Sequence, residues 1–499
     1  MKYHKHSLAS YALLSLIVAL LLHWLCKYDF YYAEQYRLFR WSADYVLPFF
    51  TRAGGPVAFV TGFFMQFYVL PWVGAAVNAL MFFLMAVGTH RLLQRIAPAW
   101  PLAAFGIAAG LMQCALATEI HYFPEQSWAL VAAVWVLQSV VALVPRQRVV
   151  WTQLALRAMG IVALLAVLYY IAGPVVVGDY YYPSMLHASE HSYWPHLCVA
   201  AGIVMALALT RRKALAERPR YAFVALQLLV ALGIGGWYFT RCHNADGTLV
   251  KELDYYRTHE QWDAILAKDD LPTGSVPIYA NYQNLALAAK GRLAEEFMQH
   301  GQTGPTGLQQ VWQGLQFESD ILSDIFMMQG HVAMAQKMAF IAMQYNPELM
   351  HGRLMLRLIE TNLILQEDRV AEKYINILEQ TFAYADRARE YRKFVGHPEL
   401  VSADPRLGEL QRCTEGCDIA TNDLVDGLQQ ICRANPAHKA AFDYLGAYYI
   451  MSNDLEAFRR FLDAYHNAPA LQPLPACFKM AADHIGWMPA PSNPSTPEQ

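Results

Sequence analysis

The sequence predicts an all-α protein: a polytopic transmembrane helix bundle followed by a soluble helical tail. Three observations carry that reading. The chain is 56% hydrophobic and only 16% charged, against about 25% charged residues in soluble domains. The deficit is concentrated in the first half, where apolar runs of bilayer-crossing length recur; Pro101 to Thr118 holds no charge at all. Beyond Lys251 the composition becomes that of a soluble protein, arranged as amphipathic helix pairs. A net charge of −3 gives no footing for a nucleic-acid partner. The 13% aromatic content suits interfacial belts of Trp and Tyr.

In chain order, Lys2, His4, Lys5 and His6 precede an apolar run from Leu8 to Cys26. Secretory signal peptides begin in the same way. Here His23, Trp24 and Leu25 stand where small residues would mark a cleavage site, so the run reads as a retained first span. Lys27 to Pro56 reads as a polar and aromatic loop. Val57 to Leu70 is apolar but short of the ~20 residues a crossing needs, and reads as an interfacial or re-entrant segment. Six further spans follow: Trp72–Leu93, Pro101–Thr118, Ser127–Val144, Trp151–Ala172, His196–Thr210 and Tyr221–Thr240. Gly106 and Gly110 form a GxxxG in the third span, a spacing that lets helices pack closely.

Basic residues set the orientation. With the N-terminus inside, inside loops carry Arg91, Arg95, Arg146, Arg148, Arg211, Arg212, Lys213, Arg218 and Arg220, and the outside loops after spans 3 and 5 carry no Lys or Arg. The first outside loop breaks the trend with Lys27, Arg37, Arg40 and Arg52. Seven crossings place the tail outside, which in a bacterium is the periplasm. The expected division is 1–242 transmembrane, 243–485 extracytoplasmic helical domain and 486–499 a disordered, Pro-rich end.

In the tail, Ile321–Gln344 reads as helix, turn at Gln329-Gly330-His331, helix, with Asn346-Pro347 as the stop. Met355–Thr381 repeats this scheme with a turn near Gln366-Glu367-Asp368, and Ala441–His466 with a turn at Ser452-Asn453-Asp454. These pairs resemble tetratricopeptide (TPR) repeats, and Arg389–Asn422 interrupts them. Stacked pairs of this kind make an α-solenoid with a concave binding surface.

Ionisable residues collect in the outside loops. Loop one offers Asp29, Glu34, Arg37, Arg40 and Asp44. The loop after span 3, EIHYFPEQ, offers Glu119, His121 and Glu125. The loop after span 5 offers Asp179, three tyrosines, His187, Glu190, His191 and His196. Carboxylates and imidazoles can act as general bases or hold a divalent metal, and arginines match a lipid phosphate. His187 to His191 spells HxxEH, the string of inverted zinc peptidases, but it sits in a loop between Pro183 and Pro195 with no supporting helix. Cys413 and Cys417, with Cys432 and Cys477, are candidates for a structural disulfide in an oxidising compartment. No P-loop, GxSxG or dinucleotide fingerprint is present.

On FYYAEQYRLF, GGPVAFVTGFFMQFYVLP, HYFPEQ and VAEKYINILEQT, the chain resembles an uncharacterised family of bacterial polytopic membrane proteins with a TPR-like tail. That resemblance implies no activity. The layout is also similar to the GT-C membrane glycosyltransferases, which place catalytic carboxylates in the first outer loops. By that similarity Glu34 or Asp44 is the expected base, Glu119, His121 and Glu125 orient an acceptor or metal, and Arg37 or Arg40 holds the phosphate of a polyprenyl-phosphate-linked donor. An Asp-x-Asp or Glu-x-Asp pair is missing from loop one. The alternative is a membrane-anchored scaffold whose repeats bind envelope or secretion partners. Transport ranks last, because spans 3 to 7 hold almost no charge apart from Arg157, which can snorkel.

Overall fold

Every regular element among the described residues is a helix. The computed structural model describes residues 2–35, 37–119, 122, 124–144, 151–176, 193–210, 212, 217–268, 270–312, 314, 316–344, 351–417 and 423–488. The chain forms two compact units, one comprising Met1–Glu252 with Gln380–Ala383, the other Leu253–Glu379 with Tyr384–Gln499. The expected division at residue 242 coincides with the end of the last apolar helix; the unit boundary lies ten residues later.

The first unit contains α1 (Lys2–Glu34), α2 (Ala43–Val46), α3 (Gly55–Met65), α4 (Val73–Ile96), α5 (Ala103–Leu116), α6 (Glu125–Leu143), α7 (Trp151–Val176), α8 (Trp194–Leu209) and α9 (Glu217–Cys242). Among the described residues, five stretches are long and apolar enough to cross a membrane: Leu8–Glu34, Val73–Ile96, Glu125–Leu143, Trp151–Gly173 and Tyr221–Cys242. Helices α3, α5 and α8 are apolar but shorter, with 11, 14 and 16 residues. At 1.5 Å per residue they reach about 16, 21 and 24 Å, short of a hydrocarbon core of about 30 Å.

Packing in this unit is inverted relative to a soluble protein. Helices α4 and α5 are central, and Phe82, Met85, Ala86, Leu93 and Ala109 are fully buried. Around them α1, α7 and α9 turn Leu13, Leu16, Leu20, Leu156, Met159, Val162, Leu226, Leu229 and Leu232 outward. In water so much exposed apolar surface would be a heavy cost; in lipid it is the solvated face. The expected GxxxG packing is present. A Cβ on Gly106 would stand 2.8 Å from the Ala86 carbonyl oxygen, and one on Gly110 2.7 Å from the Phe82 ring, so glycine is what lets α5 lie against α4.

Loop one differs from expectation. Residues 27–34 continue α1 past a kink at Cys26, whose φ is −125°, so Asp29 and Glu34 stand on a helix. The sequence that follows is fixed by rings: Phe39 packs edge-on against Trp41, Tyr45 and Phe59 at 5.3, 5.5 and 5.6 Å.

Helix α10 (Ala245–Thr258) follows α9. The second unit then contains α11 (Trp262–Leu266), α12 (Pro277–Ala289), α13 (Leu293–Glu296), α14 (Gln316–Gln329), α15 (Val332–Gln344), α16 (Gly352–Ile364), α17 (Asp368–Leu378), α18 (Ala385–Arg392), α19 (Pro398–Ala403), α20 (Pro405–Thr414), α21 (Leu424–Ala434), α22 (Lys439–Met451), α23 (Leu455–Tyr465) and α24 (Ala476–His484). One turn recurs through it. Glu260, Gly291, Gly330, Gln366 and Asn453 have φ of 54°, 67°, 88°, 61° and 55°. Each is followed by an N–H that donates five residues back: Gln261 to Tyr256, Arg292 to Leu287, His331 to Phe326 and Glu367 to Asn362 at 2.8 Å, and Asp454 to Tyr449 at 3.0 Å. A left-handed residue with that 6→1 bond is the Schellman helix stop. It joins α10 to α11, α12 to α13, α14 to α15, α16 to α17 and α22 to α23. The short helices α19 and α20 fall in the interruption expected at Arg389–Asn422, and α18 straddles its start.

Candidate functional site

The ends of α1 and α5 and the start of α6 lie together, and buried ion pairs of Arg37 with Glu125 and of Lys251 with Asp29 form there. Arg37 Nη1 donates to the Ala58 carbonyl at 3.1 Å and to Glu125 Oε1. Both partners of this ion pair are buried, at 6% and 4% side-chain exposure. Glu125 opens α6, where a carboxylate also meets the positive end of the helix. A second buried pair lies beside α1: Lys251 Nζ donates to Asp29 Oδ1 at 2.5 Å and to the Thr118 carbonyl at 2.9 Å. Tyr122 Oη and Ser127 Oγ share a hydrogen bond of 2.5 Å, and Gln113 Nε2 donates to the Ser127 carbonyl at 3.2 Å.

The expected site residues separate by environment. Arg37 and Glu125, 88 positions apart, are joined and buried. Glu34 is buried at the last position of α1, 3% exposed. Glu119 is half-buried just beyond α5. Arg40 and Asp44 pair with each other instead. Arg40 covers the Tyr45 ring at 5.1 Å, and its Nη1 is 3.6 Å from Asp44, whose side chain is 70% exposed. His121 lies outside the described residues, as do the whole HxxEH string and Asp179. Among the described residues no group of three or more His, Cys, Asp or Glu could hold a metal ion. Lys251 was missed by sequence reasoning. Its one signal was a cation soon after the final span, and nothing in the spacing pairs it with Asp29, 222 positions earlier.

The second unit has its own ionic cluster. Arg257 Nη2 donates to Asp254 and Asp320, both at 2.6 Å, and Nη1 to Asp324. Arg353 reaches Asp254 at 2.8 Å. Arg357 bridges Asp324 at 2.5 Å and Glu360 at 2.8 Å. Arg406 and the Tyr391 hydroxyl also donate to Glu360. Four arginines thus meet four carboxylates on α10, α14, α16 and α20. Burial opposes ionisation of Glu360, but Arg357 and Arg406 outweigh it and hold its carboxyl below the ordinary range. A cleft lined by Gly330, His331, Leu365, Cys413, Cys417 and Ile431 lies in the same unit. All eight cysteines are free thiols. The expected disulfide is not formed: the Cys417 thiol donates to the Cys413 carbonyl at 3.0 Å, one helical turn away.

These features define a helical membrane protein whose apolar bundle is followed by a unit of helical hairpins. The chain belongs to a family of unknown function, DUF6057, whose model matches residues 2–485. No curated protein and no solved structure matches it.

Proposed function

We propose that the protein is a non-catalytic membrane-anchored scaffold, whose hairpin unit is a TPR-like solenoid that binds a protein partner in envelope assembly or secretion. One observation carries this reading. The charged residues best placed for chemistry at the bundle end, Arg37 with Glu125 and Asp29 with Lys251, are spent on each other in buried pairs, which suits a structural closure. The Lys and Arg excess in alternate loops supports an N-terminus on the cytoplasmic side of the membrane and a periplasmic hairpin unit. The test is a photo-crosslinking residue at exposed Phe340 or Leu400 of the full chain in cells. A discrete adduct that persists when residues 1–242 are replaced by an unrelated anchor is expected. Loss of that adduct on the foreign anchor, with the fusion present and folded, counts against the reading.

A second reading, sugar transfer from a polyprenyl-phosphate donor by a GT-C-like enzyme, is favoured by Asp44. It is the candidate base that solvent reaches, with the Arg40 cation 3.6 Å away. On this reading Asp44 is the base, and Glu34, at 3% exposure, needs the bundle end to open before it can take part.

A further inference from the structure

We propose that the elbow between α1 and α3, residues 39–54, is a binding site for an anionic phospholipid of the bilayer, with Arg40 and Arg52 taking its phosphodiester. The inference does not depend on the scaffold reading.

The height of the elbow is fixed first. The Tyr170 hydroxyl donates to the Phe50 carbonyl at 2.8 Å, and the Gly54 N–H donates to the Tyr170 carbonyl at 2.9 Å. Tyr170 is three residues from the end of the apolar stretch Trp151–Gly173. The elbow is therefore pinned where that helix leaves the hydrocarbon, the level of the headgroups. Its inner side is held by buried Phe39 and Phe49, while Trp41, Leu47 and Phe50 are 54%, 62% and 45% exposed. An exposed Trp, Leu and Phe beside two arginines is the composition of an element lying in the interface, with its rings in the acyl boundary.

Arg40 and Arg52 are the elbow's two cations, and Arg40 is ion-paired with exposed Asp44. Arg37 is engaged with Glu125. Arg40 lies over the Tyr45 ring with its Nη1 3.6 Å from Asp44, beyond hydrogen-bond length, and its Nε is a buried donor with no acceptor. Arg52 is exposed over the Phe49 ring at 5.9 Å. Each guanidinium rests a face on an aromatic ring, which leaves its N–H edge for a ligand. That edge matches a phosphate in bidentate fashion. Free phosphate would satisfy the guanidinium groups but leave Trp41, Leu47 and Phe50 uncovered; a bilayer lipid answers both halves of the site.

The test uses the full chain in mixed micelles, titrated separately with dioleoyl-phosphatidylglycerol, dioleoyl-phosphatidylcholine and inorganic phosphate, read by thermal unfolding and by native mass spectrometry of retained lipid. Phosphatidylglycerol should stabilise the wild type over phosphatidylcholine. In the double variant Arg40→Gln/Arg52→Gln its binding should weaken by roughly tenfold or more, given the electrostatic worth of two basic residues near an anionic surface. Arg40→Lys/Arg52→Lys should recover part of that loss, and Arg212→Gln should change nothing. Should the double variant fold poorly, Arg52→Gln alone decides, since its side chain is exposed. Unchanged phosphatidylglycerol binding in that variant overturns the proposal. So does a full effect from inorganic phosphate alone.

Discussion

Arg37 and Glu125 carry most weight at the scale of single residues. Each is buried, and each neutralises the other. Removing one partner leaves an uncompensated buried charge, so Arg37→Gln or Glu125→Gln should cost about 3–5 kcal/mol. The double variant should cost clearly less than the sum, a coupling that thermal unfolding of the four-member cycle would read. Asp443 makes the opposite case. Burial pushes its carboxyl up to about 6, with Lys439 offsetting part of the effect, and its Oδ2 lacks a partner. A raised carboxyl binds its proton more tightly in the folded state. Its stability contribution is therefore complete below the unfolded value of 3.8 and is lost as pH rises through about 6. Asp443→Asn should then flatten the stability profile between those values and stabilise the protein at pH 7 by about 1–2 kcal/mol, seen as a higher Tm. The sequence showed which residue types gather near the bundle end. It could not show that Arg37 and Glu125 pair, because hydropathy and spacing carry no information about partners 88 positions apart.

Spans are the elements most legible in sequence. A hydrocarbon-length apolar run needs no partner to declare itself, and Trp72–Leu93 and Trp151–Ala172 fall within a few residues of α4 and α7. Residues 27–34 were read as loop because Lys27, Asp29 and Glu34 interrupt the apolar run. They remain helical because Asp29 and Glu34 are buried at the bundle end, with Lys251 neutralising Asp29. In the tail, the turns at Gly330, Gln366 and Asn453 were legible from local chemistry, while those at Glu260 and Gly291 were not singled out. The shared geometry makes a prediction. Gln366 sits at φ 61°, where a side chain costs about 1–2 kcal/mol, so Gln366→Gly should gain up to about 1 kcal/mol once glycine's chain entropy is charged against it. Gly330→Ala should lose stability, since φ is +88° and the new Cβ would meet Cys413 Sγ at 3.0 Å. Denaturant midpoints of the two variants should move in opposite directions.

In the whole molecule, an inverted apolar bundle closed by buried ion pairs precedes a unit of hairpins with one repeated stop. The first part holds the chain in the membrane; the second is the part proposed to work. The direct test is the thermal stability of the full chain with undecaprenyl-phosphate and with its sugar-linked forms, on wild type, Glu34→Gln and Asp44→Asn. The account predicts no sugar-dependent shift in any of the three. A shift that appears only with the sugar-linked lipid and disappears in Asp44→Asn or Glu34→Gln would contradict it and establish the bundle end as a transferase site.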